Sequence, residues 1–250
     1  MSGLSEILST FRPISLREMD EVALTNRIDT KFVFHRSLLP DLLMELQRDY
    51  AVLEIGPARV HRYDTIYFDK EDYRLYLDHH NGRGNRYKLR LRQYGSSLVA
   101  YVEMKRKTNK GRTEKTRKKT TSFSTVLDEQ QRAFLHEPTG EKNAEWRFST
   151  RVFFERVTLV SLSPPERMTL DVGLRFSDDK IERVFPEIII AEVKQGSKAP
   201  SAFIRLMKEK HIHPFSISKY CLGISLLHPE LKHNLFKAQH TYLQHLQNLA

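Results

Sequence analysis

Cysteine is all but missing from this sequence: Cys221 is the only one in 250 residues. An intramolecular disulfide is excluded, and so is a cysteine-built zinc cluster. A lone thiol fits a reducing compartment, so a cytoplasmic location is the expectation. Long apolar runs are missing too. The longest, around Ile188-Ile189-Ile190-Ala191, falls far short of the roughly 20 residues that a membrane-spanning helix needs. No basic start followed by an apolar core marks a secretory leader. Contact with a bilayer would have to run through a membrane-protein partner or through surface charge. Gly82-Arg83-Gly84 lacks the spacing of a phosphate-binding P-loop. No internal repeat or low-complexity tract is visible.

Positive charge is what the chain does have. Lys and Arg total 41 against 31 Asp and Glu, a formal charge of +10. Such an excess favours polyanionic partners: nucleic acid, nucleotides, inorganic phosphates or an acidic membrane surface. The length suits one large domain or two small ones. A single unit over residues 1–250 is expected, with a core over about 24–223 and a C-terminal helix over about 230–250.

The pattern of elements is mixed. Ser15-Leu16-Arg17-Glu18 has the spacing of a helix capping box. Residues 37–48 read as a helix, with Ser37 as cap and Pro40 in the first turn. Residues 28–34 read as a strand. A β-rich region follows, with strands over 63–69, 86–94, 98–107 and 112–120. Gly95-Ser96-Ser97 makes a tight hairpin link. Residues 79–85 read as a loop, 123–136 as a helix capped by Ser122 or Ser124, and 138–149 as a polar connector. Further strands fall over 151–162, 168–176 and 187–194. Helices are expected over 201–210 and 231–249. Together these predict an α+β fold with a large antiparallel sheet and flanking helices.

The placement of charge along the strands says more than its total. In Arg86-Tyr87-Lys88-Leu89-Arg90-Leu91-Arg92 the cations occupy every second position. A strand's period of two sorts all four to one face and Tyr87, Leu89 and Leu91 to the other. Glu103, Lys105 and Lys107 repeat the pattern. So do Arg27, Asp29 and Lys31, the pair Glu192 and Lys194, and the pair Thr169 and Asp171. An antiparallel sheet with one face in water is the simplest account of any one strand. Several strands together are harder to explain that way, because like charges opposite each other repel. An anion on that face would offset the repulsion. The few carboxylates there (Asp29, Glu103, Asp171 and Glu192) suit ligands for a divalent cation among phosphate-binding cations. Closing such a sheet with its charged face inward would give a basic tunnel. Arginines there would offer forked hydrogen bonds to phosphate and lysines point charges. Base-stacking sheets interleave aromatics with their cations. Here Tyr87 lies opposite the cations, which counts against nucleic acid.

The order of short motifs resembles the VTC domain, the polyphosphate polymerase branch of the triphosphate tunnel (CYTH-like) superfamily. The resemblance runs from about Arg27 to Gly223. Arg27-Ile28-Asp29-Thr30-Lys31 is similar to that branch's R-x-E-x-K, with Asp for Glu. Tyr67-Phe68-Asp69 with Tyr73 and Leu75 is similar to its Y-F-D segment. Arg90-Leu91-Arg92-Gln93-Tyr94, Val102-Glu103-Met104-Lys105 and the basic residues Arg112, Lys115 and Arg117 follow in order. Phe154-Glu155-Arg156 stands where the family has Y-E-R. Arg167 to Asp171, Ala191 to Lys194 and Ser218-Lys219-Tyr220 complete the set.

The resemblance implies a closed antiparallel β-barrel tunnel and an ATP-dependent polymerase. That enzyme would move the γ-phosphoryl group of ATP onto inorganic polyphosphate, using Mn2+ or Mg2+. It implies that Lys31, Arg90, Arg92, Lys105 and Lys219 hold the reacting phosphates. Arg27, Lys88, Arg112, Lys115, Arg117, Arg156, Arg167 and Lys194 would bind phosphate further along. Glu192 is the first candidate metal ligand and Glu103 the second, because a carboxylate facing triphosphate needs a metal between them. An ion pair within the sheet is the alternative for Glu103. Arg156 differs in strand parity from Arg151 and Glu155, so one set must point away unless a bulge intervenes. The motif favours Arg156 inward. A phosphohydrolase of the same superfamily and a non-catalytic polyanion binder are the competing functions.

Overall fold

Alternation of apolar and charged residues along the strands builds one curled, largely antiparallel sheet. The computed structural model describes residues 2–22, 27–95, 99–140, 145–196 and 200–249. The elements run α1 (Ser2–Ser9), β1 (Pro13–Ile14), α2 (Leu16–Glu21), β2 (Ile28–His35), α3 (Leu39–Leu46), β3 (Ala51–Leu53), β4 (His61–Asp69) and α4 (Arg74–His80). Then come β5 (Arg86–Tyr94), β6 (Ala100–Lys107), β7 (Thr113–Thr120), α5 (Glu129–Thr139), β8 (Arg147–Leu162), β9 (Pro165–Ser177), β10 (Glu182–Phe185) and β11 (Ile188–Gln195). Helices α6 (Ala202–Glu209), α7 (Lys219–Leu227) and α8 (Lys237–Gln247) end the chain.

The main sheet follows the order β2-β11-β9-β8-β4-β5-β6-β7. Its outer face is apolar where helices cover it. Phe32, Phe34, Leu159, Leu170 and Ile189 pack there against leucines of α1, α3 and α6. Burying such side chains stabilises by roughly 1.5–3 kcal/mol each. On the β5–β6 side, Leu89, Leu91, Val102 and Met104 are buried with Leu135 of α5. The charged positions of the same strands are left on the inner face.

The sheet is not closed by hydrogen bonds, in contrast to the expected barrel. Among the described residues its path ends at β2 and at β7. The edge of β2 is engaged elsewhere: the Phe215 amide donates to the Lys31 carbonyl at 2.7 Å. The coil that leads into α7 therefore lies where a closing strand would pair. Strand β7 is solvent-exposed along nearly its whole length, and its lysines suit an edge strand that resists further pairing.

Helix α7 reaches this position because Gly223 has no side chain. A Cβ there would meet Phe176 Cδ1 at 2.8 Å and Thr150 Oγ1 at 3.0 Å. Asp69 secures the helix from the other side. Its carboxylate accepts the amides of Lys70, Leu75 and Tyr76 at 2.7, 2.8 and 3.0 Å, and the Tyr220 hydroxyl at 2.6 Å. Asp69 thus caps α4 and pins α7 at once. Asp69→Ala would leave these buried donors unsatisfied. It is expected to cost about 3 kcal/mol, read as a shift in the urea unfolding midpoint.

Several elements depart from the sequence pattern. His79 and His80 belong to α4 and not to a loop, because Asp69 supplies the cap that their own segment lacks. The helix expected over 123–136 begins at Glu129, where Asp128 and Gln131 form a capping box. The C-terminal helix is broken by a 3-10 turn at Asn234–Phe236. Ser15 caps α2 as the spacing predicts. Ser96 and Ser97 of the hairpin link, and positions 141–144 of the connector, lie outside the described residues.

Candidate functional site

Residues paired directly across antiparallel strands point to the same side of the sheet. Register therefore decides which charges meet. Lys88, Lys105 and Lys115 form one cross-strand row over β5, β6 and β7, and Arg90, Glu103 and Arg117 the next. Arg92 pairs with Tyr101, and Tyr101 with Lys119. On the opposite wall Lys31 pairs with Glu192, and Lys194 with both Asp29 and Arg167. Arg156 lies between Asp171 and His61. Twelve of the candidate residues share this inner face: Lys31, Lys88, Arg90, Arg92, Glu103, Lys105, Lys115, Arg117, Arg156, Arg167, Glu192 and Lys194. Lys219 joins them from the first turn of α7, where Ser218 is the N-cap.

The parity conflict at β8 resolves through a bulge. Pairing with β9 shifts register between Phe153 and Glu155. Arg156 turns inward, while Arg151 binds Asp64 and Glu155 faces Arg62 on the outside.

Two carboxylates each clamp two cations on the inner face. Asp171 takes Arg156 in forked geometry at 2.6 and 2.8 Å and Lys219 at 2.5 Å. Burial alone would raise its carboxyl, but Arg156 and Lys219 outweigh that and hold it well below the usual range. Glu103 takes Arg90 at 2.7 Å and Lys115 at 2.5 Å. It is held at about 2 by these cations and Arg92, against its burial. An ion pair within the sheet is therefore what Glu103 makes here.

A third group of cations makes no ion pair with a carboxylate among the described residues, although Glu192 acts on Lys31 and Lys105 through space. A cavity of about 490 Å³ is lined by Lys31, Arg86, Lys88, Lys105 and Lys107, and no described lining residue is a carboxylate. Lys31 donates to the Ile217 carbonyl at 2.9 Å and Lys88 to the Ser218 hydroxyl at 2.8 Å, both neutral partners. Lys105 has no ion pair or hydrogen bond among the described residues. Burial lowers the pKa of Lys88, with Lys31 and Arg90 adding to the effect. That of Lys105, whose side chain is solvent-exposed, is lowered by partial desolvation, helped by Lys88 and Lys31. His79 on the cavity wall is pushed down to about 2 by burial and by Lys88 and Arg86, and so stays neutral. Arg86, Lys107 and His79 are additions to the candidate set. The first two share strand parity with Lys88 and Lys105, which is the signal that marks them.

Two candidates lie aside, and Arg167 is drawn away from the face that it shares. Arg27 precedes β2 and pairs with Asp29 at 3.1 Å. Arg112 precedes β7, in a turn closed by the Thr108 amide on its carbonyl at 2.8 Å. The Arg167 guanidinium is drawn toward α2, where it donates to the Met19 carbonyl at 2.7 Å.

Asp171 and the inner-face aromatics complete the site. Tyr63 and Phe154 stack at 5.1 Å. Arg156 lies 4.6 Å over Tyr63, and Lys219 lies 4.5 Å over Phe154. Tyr67 sits beside Arg90. Burial would raise its phenol, but Arg90 and Arg92 outweigh that and bring it down. Tyr87 is on the far face as its parity requires, yet Tyr63, Tyr67, Tyr94 and Tyr101 are on the cationic one.

Glu192 is the carboxylate best placed for a metal. One of its oxygens pairs with Lys194, and the other has no ion pair among the described residues. It is held at about 2, with Lys194, Lys31 and Arg156 overcoming its burial, and so is ionised at neutral pH. No group of three His, Cys, Asp or Glu side chains is assembled among the described residues. A single carboxylate completed by phosphate oxygens is a donor set that Mg2+ accepts.

The family model for the VTC domain matches residues 26–228. A search of curated proteins gives no match. Similar solved structures include the PH1819 protein from Pyrococcus horikoshii, with 12% identity, a TM-score of 0.41, and coverage of 78% of this chain and 97% of that one. Another is a putative adenylyl cyclase, HpAC1, from Hippeastrum, described as having a dominant triphosphatase activity. It has 16% identity, a TM-score of 0.48, and coverage of 80% of this chain and 96% of that one.

Proposed function

The chain belongs to the VTC domain family, and from that premise we propose that it is a polyphosphate polymerase that transfers the γ-phosphoryl group of ATP onto a growing polyphosphate chain. The observation that carries the reading is the cavity beside Lys88 and Lys105. These like charges are direct cross-strand partners, face Lys31, and have no described carboxylate among them. Such an arrangement is unfavourable until an anion enters, and a chain of phosphates brings negative charge along its whole length.

Phosphoryl transfer asks a protein mainly for position and charge. A terminal oxygen of the polyphosphate chain bonds to the γ-phosphorus. The bond from that phosphorus to the β–γ bridging oxygen breaks, and ADP leaves with the electron pair. Lys31, Lys88 and Lys105 hold phosphate oxygens in the cavity. Arg90 and Arg92 follow along β5, and Lys219 and Arg156 face them from α7 and β8. Asp171 and Glu103 keep these side chains extended into the tunnel by pairing with part of their donors. Glu192 would hold a divalent ion, which when bound would neutralise phosphate charge.

Lys88 and Lys105 have lowered pKa values, and only their protonated forms attract phosphate. Affinity for tripolyphosphate is therefore expected to fall as pH rises through the alkaline range, below the ordinary lysine value of 10.5. Binding titrations across that range check it. Ligand-free stability should move the other way. The unfolded chain holds these protons longer than the folded one, so stability rises with pH over the same window.

Incubation of the pure protein with ATP and manganese, following ADP, orthophosphate and long-chain polyphosphate separately, tests the reading. ADP with polymer supports it. Orthophosphate without polymer would make water the acceptor and the protein a triphosphatase. Binding without turnover would make it a polyanion carrier.

A further inference from the structure

The inner face is not uniform along its length. At the cavity end it carries Arg86, Lys88, Lys105 and Lys107. At the other end of the same strands it carries rings. Tyr63 pairs directly with Tyr94 on β5 and with Phe154 on β8, and Tyr101 follows on β6. The ring centroids of Tyr63 and Tyr94 are 5.0 Å apart, and those of Tyr94 and Tyr101 are 5.9 Å apart. The facing wall, β2 and β11 with β9, presents Lys31, Asp29, Glu192, Lys194, Arg167 and Asp171, with no ring among them. Phe154 is buried, whereas Tyr63, Tyr94 and Tyr101 are each partly open.

A phosphate chain has no π-face and gains little from tyrosines. A nucleoside base does gain from them, and stacks on aromatic side chains whatever its identity. We infer that the Tyr63–Tyr94–Tyr101 wall is a stacking subsite for the base of a nucleoside triphosphate, which lies with its base at the Tyr94 end and its phosphates directed toward Lys88 and Lys105. This rests on the proposed use of ATP and adds an orientation and a discrimination to it. The donor is told from inorganic polyphosphate by its base, at the end of the inner face away from Arg86, Lys88, Lys105 and Lys107. Arginines also sit over these rings, Arg156 and Arg92 over Tyr63 at 4.6 and 5.6 Å and Arg117 over Tyr101 at 5.1 Å. The competing role is therefore that the rings only position arginines.

Calorimetric titration of the full chain with ATP and, separately, with tripolyphosphate separates the two. The wild type is expected to bind ATP more tightly than tripolyphosphate. Tyr94→Leu and Tyr101→Leu should weaken ATP binding roughly tenfold and leave tripolyphosphate within about twofold of wild type, while Tyr94→Phe keeps ATP affinity. Equal loss for both ligands would assign the rings to the arginines and overturn the subsite. Equal affinity of the wild type for both ligands would overturn it as well, while leaving the phosphate cavity standing. Failure of the wild type to bind either would remove the cavity reading together with this one.

Discussion

Lys105→Met is expected to make the ligand-free protein more stable and to remove most of its affinity for tripolyphosphate. Lys105 sits between Lys88 and Lys115 in direct register. Lys115 reaches away to Glu103, which leaves the charges of Lys88 and Lys105 facing each other and Lys31. Like charges directly opposite on a sheet are destabilising, on the scale of about 0.2–1 kcal/mol per pair. Methionine keeps the length of the side chain and removes the charge. A gain of about 0.5–1 kcal/mol in urea unfolding is the expected result. A charge-assisted hydrogen bond to phosphate contributes about 1.5–3 kcal/mol. Its loss should weaken tripolyphosphate binding roughly ten- to a hundredfold. A side chain present only to hold the sheet together would give the reverse pattern, with lower stability and unchanged binding.

Asp171→Asn is expected to be the most damaging single change on the inner face. Asp171 is 2% exposed and serves both Arg156 and Lys219. Neutralising it leaves two partly buried cations without their counter-ion. Breaking a buried pair in this way costs about 3–5 kcal/mol. A loss below about 1 kcal/mol would mean that the two cations are solvated independently, as exposed pairs are. Tripolyphosphate should restore part of the lost stability, because its oxygens can take up the donors that Asp171 vacates. Acid should act in the same direction. Glu103 is held at about 2 against an ordinary value of 4.5. The stabilisation it brings is complete above the ordinary value and is lost as pH falls toward about 2. The depressed carboxyls of Asp171 and Glu192 lose theirs in the same direction.

The inner face was legible in the sequence because strand parity is a local property. Arg90 and Arg92, Glu103 and Lys105, and Glu192 and Lys194 are sorted by the period of two alone. Parity also places Tyr94 beside Arg92 and Tyr101 beside Glu103, so the rings carried a signal that attention to Tyr87 obscures. Tertiary arrangement was not legible. Nothing local shows that Met19 would draw Arg167 aside, or that Gly223 would let α7 bring Lys219 against Asp171. Nor does parity reveal that the edge of β2 meets Phe215 in place of a closing strand. The bulge on β8 that turns Arg156 inward is of the same kind. It depends on pairing with β9, and the chain around Phe154 carries no mark of it.

On the proposed function, Lys88 and Lys105 are arranged to receive a phosphate chain, their protons loosened by desolvation and by neighbouring cations, Lys31 and Arg90 for Lys88 and Lys88 and Lys31 for Lys105. Proton uptake on binding tests this most directly. It is measured by calorimetric titration with tripolyphosphate in buffers of different ionisation enthalpy, at an alkaline pH where the ligand is already fully ionised. The incoming anion should raise the pKa of both lysines. Net proton uptake is predicted in the wild type, reduced in Lys105→Met and reduced further when Lys88 is also changed to Met. Binding of tripolyphosphate with no proton uptake, or uptake undiminished by the double change, would contradict this reading.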